Sequence, residues 1–218
     1  MSTPIPTDPV VELTGGPVVQ LPTAHGIFQT QAWHETLSGI EHLSVSVPVP
    51  AGSLPLVRVH SECLTGDVFG SYRCDCGEQL DYALAQVQQH GGVVVYLRGQ
   101  EGRGIGLSNK LRAYALQEAG ADTVEANEQL GLPVDARSYG AAAAILQALG
   151  LEKISLLSNN PVKAERLRAL GIDVAETRHA EVPSRAENLR YLQTKRDKMN
   201  HQLTLDVSSQ SSNKGKLA

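Results

Sequence analysis

The chemistry in this sequence is concentrated in two neighbouring stretches, Arg58-Val-His-Ser-Glu-Cys63-Leu-Thr-Gly-Asp67 and Tyr72-Arg-Cys74-Asp-Cys76-Gly-Glu-Gln79, which together hold all three cysteines of the chain. Three thiols cannot pair off into disulfides, and clustered cysteines in such a chain point instead to a bound metal. Cys74 and Cys76 have one residue between them, so they reach a common ion only from a tight turn, and Cys63 has to come in from the preceding loop. Zinc is the ion expected. A structural zinc takes four protein ligands in a closed tetrahedron, whereas a catalytic zinc takes three and leaves the fourth position to water. With no fourth cysteine in the chain, the open site is favoured. The alternatives are a closed site with His60 as fourth ligand, or three buried thiols with no metal.

Those residues need elements to hold them. Val57-Arg-Val-His60 reads as a strand that delivers Glu62 and Cys63 to the loop at its end. Leu80, Leu84 and Val87 recur at helical spacing, which predicts a helix over about Gly77 to His90 with one buried face, ended by Gly91-Gly92. Val93-Val-Val-Tyr-Leu97 is a continuous apolar run of strand length, suited to a sheet covered on both sides. It leads into Arg98-Gly-Gln-Glu101-Gly-Arg103-Gly-Ile-Gly106 and then a helix with Leu107, Leu111 and Tyr114 on one side. Strand, glycine-rich turn and helix in succession present backbone N–H groups to phosphate. The spacing of Gly102, Gly104 and Gly106 is not the dinucleotide fingerprint. What singles the turn out is Glu101 and Arg103, charges where packing needs none.

Residues 121–133 read as an irregular connection ending in Val134-Asp135-Ala-Arg137, followed by an alanine-rich helix to Leu149 that Gly150 closes. Lys153-Ile-Ser-Leu-Leu157 is a second buried strand. Asn160 is a good N-cap for the next helix, Pro161 suits its first position, and Lys163 in the first turn adds to the pull of that helix end on anions. A strand over Ile172 to Ala175 and a helix over Arg185 to Met199 complete the set. Ahead of all this, Val18-Val19, Ile27-Phe28 and Leu43-Ser-Val-Ser-Val alternate apolar with polar between glycines and prolines, which predicts antiparallel strands. The expected fold is α/β: a mixed sheet with helices packed on it, antiparallel strands at the N-terminal side, and a single catalytic domain over residues 16–203. Residues 1–15 are expected to be a flexible lead-in and 204–218 a polar, disordered tail.

At 218 residues, 41% hydrophobic and 19% charged, the chain has the composition of an ordinary soluble globule. Its net charge of -4 argues against a general affinity for nucleic acid, so an anion would be held by local basic residues. No segment has the length and apolarity of a membrane span, and Met1-Ser-Thr-Pro-Ile-Pro-Thr lacks the basic and apolar regions of a signal peptide; the cytoplasm is expected.

Taken together, Arg58 to Asp67, Arg73-Cys-Asp-Cys76, Gln100-Glu-Gly-Arg103 with Ile105-Gly-Leu107, Asp122-Thr-Val-Glu-Ala-Asn127 and Asn159-Asn-Pro161 resemble GTP cyclohydrolase II, from about Pro17 to Leu203. The resemblance covers one half of the longer bifunctional enzymes that also carry a dihydroxybutanone phosphate synthase domain. It implies that GTP is opened at its imidazole ring with release of formate and pyrophosphate, the first step of riboflavin synthesis, by a homodimer with one zinc per chain and magnesium on the triphosphate. By that resemblance Cys63, Cys74 and Cys76 are the zinc ligands. Nucleotide contacts fall on Arg58, Val59, His60, Ser61, Glu62, Gln79, Glu101, Gly102, Arg103, Thr123, Ser158 and Lys163, with Asp135 the proton acceptor and Arg137 the nucleophile. Ser158 stands where the family often has threonine and keeps the hydroxyl.

The residues make chemical sense in these roles. Three thiolates donate more charge than three imidazoles, so water on such a zinc is less acidic than in an all-histidine site and a nearby proton acceptor is expected. An arginine nucleophile is awkward because its guanidinium is normally protonated; a clamp on the transition state is the plainer role for Arg137. Glu101 and Gln79 have suitable groups for reading guanine, and Tyr114 either reaches the ring-opening site or is a half-buried aromatic with its hydroxyl paired. Other readings are a variant that opens the ring but keeps the formamide, a zinc-stabilised GTP binder without turnover, and a deaminase suggested by His60-Ser-Glu62. Deaminases continue as P-C-x-x-C, where this chain has Cys74-Asp-Cys76.

Overall fold

The alternating runs of the first third form three antiparallel strands, β1 (Leu13–Thr23), β2 (Gly26–Glu35) and β3 (Glu41–Val47). Val57-Arg-Val-His60 becomes β4 (Leu56–Ser61), and the apolar run after Gly91 becomes β5 (Gly92–Leu97). β3 pairs with β5 antiparallel, and from there the sheet is parallel: β5 with β4, β4 with β6 (Lys153–Leu157), and β6 with β7 (Asp173–Arg178). The order β1-β2-β3-β5-β4-β6-β7 makes one mixed seven-stranded sheet, as the sequence pattern predicts. The computed structural model describes residues 8–133, 135–180, 182–199 and 202–203. The first seven residues and the tail read as disordered from 204 onward lie outside them.

Both faces of the parallel half are covered. Val57, Val59, Val93, Val95 and Leu97 pack against α6 (Gly140–Ala148) and α7 (Pro161–Ala169) through Ala142, Ile145, Leu146 and Leu167. Leu56 and Val94, on the other face by the two-residue period of a strand, join Phe28 and Val45 against Ala83 and Val87 of α2 (Cys76–His90). The same period puts Arg58 and His60 on the α2 face. Because β4, β5 and β6 run in parallel, their carboxyl ends lie along one edge of the sheet, where open α/β sheets bind their ligands. That edge receives Ser61 to Cys63, the turn after β5, and Ser158 to Lys163.

Asn160 caps α7 by accepting from the Val162 N–H at 3.1 Å, with Pro161 in the first turn. Other expectations change. Residues 121–133 are not irregular throughout: α5 (Thr123–Gln129) is held by a complete capping box, Asp122 accepting from Val124 and Glu125 while Glu125 returns to the Asp122 N–H. The helix after the glycine turn is α4 (Leu107–Glu118), but Leu107 and Leu111 stay exposed and Lys110 and Ala113 are the residues it buries. The last helix, α8 (Leu189–Met199), starts four residues later than the pattern indicates. Within the stretch read as a lead-in, β1 already begins at Leu13, and the buried carboxylate of Asp8 is ion-paired with Arg166 and accepts from the Tyr139 N–H. Among the described residues no helix is long and apolar enough to cross a membrane.

Candidate active site

The loop after β4 turns through the short helix α1 (Leu64–Asp67), which lies against the start of α2. This brings Cys63 beside Cys74 and Cys76: the three sulfurs lie within 4.8 Å of one another, with Cys63 Sγ 3.7 Å from Cys74 Sγ. The approach depends on glycine. A Cβ on Gly66 would sit 2.8 Å from the Cys74 sulfur and 3.2 Å from that of Cys63, and one on Gly77 would collide with the Gly66 carbonyl. Hydrogen bonds from Cys74 and Cys76 push the Cys63 thiol far down, while the bond to Cys63 pushes Cys74 up to about 11 and raises Cys76 well above the ordinary thiol range. Only one sulfur of the trio holds a negative charge on its own, and a dication is what lets all three do so. The residues fit a thiophilic metal.

His60 lies outside the cysteine group, and one of its ring nitrogens is engaged by Asp67. Its Nε2 meets both Asp67 oxygens, at 3.1 and 3.2 Å, and its ring stacks on Tyr96. Asp67 also accepts from the Tyr96 hydroxyl at 2.8 Å and from the Cys63 N–H at 3.0 Å, so the carboxylate braces both the histidine and the first cysteine. Among the described residues the metal-competent group is the three cysteines alone. Gly66→Ala is therefore expected to cost about 1–3 kcal/mol of stability from overpacking and to lower metal content. Thermal unfolding with metal analysis reads both, and unchanged values for both would contradict the cradle.

Around the cluster lies an open cavity with about 1110 Å³ of space free of protein atoms, solvent at its mouth included. Two of its cations, Lys163 and Arg58, are buried beside neutral partners. Lys163 donates to the Val59 carbonyl at 2.6 Å, and Arg58 donates to the Leu157 carbonyl at 3.1 Å and to Gln79 Oε1 at 2.6 Å. Burial first, then the charges of Arg58 and Arg137, hold the Lys163 ammonium well below its ordinary pKa. Cations crowded in this way await an anion.

Arg137 behaves differently. Its Nε and Nη2 bind the Asp135 carboxylate at 2.9 and 2.5 Å. Burial opposes the guanidinium's charge, but Tyr139 and Asp135 keep its pKa above the ordinary value; in return, although burial pushes the Asp135 carboxyl up, Arg137 holds it below the usual range. The loop carrying this pair is anchored on the glycine turn, where α3 (Glu101–Gly104) is distorted: Ala136 N–H donates to the Arg103 carbonyl at 3.0 Å. Arg103 itself sits at φ 67°, ψ 36°, a conformation that costs an L-residue about 1–2 kcal/mol and is kept where the surroundings demand it.

The cavity wall takes in Arg58, His60, Ser61, Glu62, the three cysteines, Gln79, Gly102, Arg103, Thr123, Arg137, Ser158 and Lys163. Three expected residues stand behind it. Val59 is fully buried and contributes its carbonyl to Lys163; Asp135 reaches the cavity through Arg137; Glu101 accepts from the Leu64 N–H at 2.7 Å and from Lys110 at 2.6 Å, bracing the metal loop. Tyr114 does line the cavity, its hydroxyl 3.5 Å from Thr65 Oγ1. Lys110 is a site residue that sequence reasoning missed. Its ammonium donates to Cys63 Sγ at 3.1 Å, Thr65 Oγ1 at 2.8 Å and Glu101 Oε1, so all three protons are placed. Tyr191 and Lys195 of α8, also on the wall, were missed too.

Three clustered cysteines that could hold a metal ion and a group of buried cations share one cavity at the carboxyl edge of a parallel sheet, the arrangement of an enzyme site. Residues 17–179 match the family model described as GTP cyclohydrolase II, and the chain belongs to that family. It is 54% identical over 186 residues to the riboflavin biosynthesis protein RibBA of Nocardia farcinica, and 54% identical over 190 residues to the RibBA proteins of Mycobacterium bovis and Rhodococcus jostii. These alignments cover 84% of this chain and 45%, 45% and 46% of the relatives, so the chain spans about half their length. A solved two-domain 3,4-dihydroxy-2-butanone 4-phosphate synthase from A. baumannii, RibBX, overlays at a TM-score of 0.44 with 21% identity, over 77% of this chain and 39% of that one.

Proposed function

We infer that this protein catalyses the GTP cyclohydrolase II reaction: hydrolytic opening of the GTP imidazole ring with loss of formate and pyrophosphate, giving 2,5-diamino-6-(5-phosphoribosylamino)pyrimidin-4(3H)-one for riboflavin synthesis. The observation that carries it is the shared wall: Cys63, Cys74 and Cys76 face the same cavity as Arg58, Lys163 and Arg137, so a ligand that reaches the thiolates with its base can place its phosphates among the cations. Family membership supports the same reading and leads us to a cytoplasmic homodimer with magnesium travelling on the triphosphate.

Zinc bound by the three cysteines would supply a Lewis acid and lower the pKa of water beside the purine. The chain's own residues do the rest. Lys163, buried against the Val59 carbonyl, exchanges that weak partner for a phosphate oxygen and regains full charge as the anion arrives, while Arg58 stays charged and keeps its bond to Gln79. Arg137, kept protonated and oriented by Asp135, is a clamp for charge developing at the α-phosphorus. Asp135 in its paired state is a weak base, and its role is to orient Arg137. Glu101 and Lys110 hold the metal loop against the glycine turn. The Tyr114 hydroxyl, on the wall beside the cysteines, is placed to position the opening ring.

The test is the product set. Incubated with GTP, zinc and magnesium, the protein is expected to yield formate and pyrophosphate in equal amounts, with a pyrimidine product of the corresponding mass. Ammonia in place of formate would point to deamination. Retained formyl mass would point to the formamide variant, and GTP bound without turnover to a sensor.

A further inference from the structure

The family match stops at residue 179, but the cavity wall continues past it. Tyr191 and Lys195 are four residues apart on one face of α8, the Lys195 ammonium 4.5 Å from the centre of the Tyr191 ring. The segment is tied down before, within and after the helix. Arg185 pairs with Glu78 of α2 and covers the Tyr72 ring at 4.3 Å; Lys195 binds Asp75 at 2.7 Å; and the Gln202 N–H donates to the carbonyl of Asn159, in the loop after β6, at 3.0 Å.

The first of these ties is exposed and contributes little. The Lys195 tie is different. Lys195 and Asp75 are 8% and 2% exposed, and Asp75 stands between Cys74 and Cys76. Its carboxylate is shared: Oδ1 takes Lys195, and Oδ2 accepts from Gln79 Nε2 at 2.6 Å. The Gln79 amide oxygen in turn accepts from Arg58 Nη2. That order fixes the amide, because turning it over would set its NH2 against a guanidinium and its oxygen against a carboxylate, losing both bonds. At the end of the chain, Arg58 Nε is buried with no partner among the described residues. A donor left in that state calls for an acceptor from outside the protein.

We propose that Lys195 is a positioning residue for the nucleotide: through Asp75 and Gln79 it sets the angle at which Arg58 offers its unpartnered Nε–H to an oxygen of a bound purine nucleoside triphosphate. The ligand class rests on the function inferred above. Without the ammonium, Asp75 is a buried carboxylate short of a donor; it draws Gln79 and then Arg58 toward itself, and the N–H leaves its alignment. The wall that aligns the ligand thus includes a helix beyond residue 179, where the family-model match ends.

Lys195→Met and Lys195→Arg test this against Arg196→Met; among the described residues the exposed Arg196 side chain pairs with its neighbour Asp197. The readouts are KM for GTP, kcat per bound metal, and the Nε–H resonance of Arg58 in isotope-labelled, unliganded protein. Lys195→Met is expected to raise KM about tenfold, the scale of a coupled pair, with kcat per metal retained and the Arg58 resonance displaced. Lys195→Arg restores most of both, and Arg196→Met matches the wild type. An Arg58 resonance unmoved by Lys195→Met overturns the proposal whatever the kinetics, leaving Lys195 a seat for α8. A wild-type protein that does not turn over GTP would sink the inferred function, while the resonance still decides the role of Lys195.

Discussion

Cys74→Ser is expected to abolish formate release and metal binding while leaving GTP bound. Serine is close to cysteine in size, so the fold around Gly66 and Gly77 survives, but its hydroxyl does not ionise to serve as a ligand in place of a thiolate. Two sulfurs are a poor zinc site, and without the ion the attacking water loses several kcal/mol of activation, on the order of 10³-fold in rate at ~1.4 kcal/mol per decade. The phosphate cations are not connected to this loss: Lys163 is held by the Val59 carbonyl and Arg137 by Asp135. Pyrophosphate release therefore persists in the variant, with formate release gone. Metal analysis and separate assays of the two products make the comparison, and small, equal losses of both would remove the cysteines from ring opening.

How far this site was legible in the sequence depends on the kind of signal each part left. The strands came from period-two alternation and from the run Val93 to Leu97, whose burial on both faces left no polar positions to mislead. The cysteines were legible as a cluster because thiols are few, and the α7 start because Asn160-Pro161 has a local cause. α5 had a local cause too, the Asp122 and Glu125 box, but its short apolar content masked it. α4 misled because Leu107 and Leu111 are exposed and its lysine is buried. A charged residue in a helix pattern reads as solvated until its partner is known, and the partner of Lys195 is 120 residues away in sequence. Such pairs exist only after the chain has folded. The family motifs supplied what spacing did not: they singled out Arg58 and Gln79, each ordinary in composition.

Arg137→Ala is expected to lose pyrophosphate release by roughly 10²–10⁴-fold, the range below that of an arginine supplied to a phosphoryl transition state, with GTP affinity little changed. The two roles offered for this residue predict different chemistry. A nucleophile must shed a proton, and the structure works against that: Asp135 grips the guanidinium at Nε and Nη2 and its pKa lies above the ordinary value. A clamp needs the charge kept and the plane fixed, which is what a two-point carboxylate contact provides. Asp135→Asn should then retain part of the activity, because an amide oxygen still accepts one of the two bonds, whereas Arg137→Lys should rescue little, since an ammonium cannot reproduce the fork. Steady-state rates beside the dissociation constant of a non-hydrolysable GTP analogue separate transition-state loss from binding loss. A covalent nucleotidyl-arginine adduct trapped at Arg137 by mass spectrometry would overturn the clamp and restore the nucleophile.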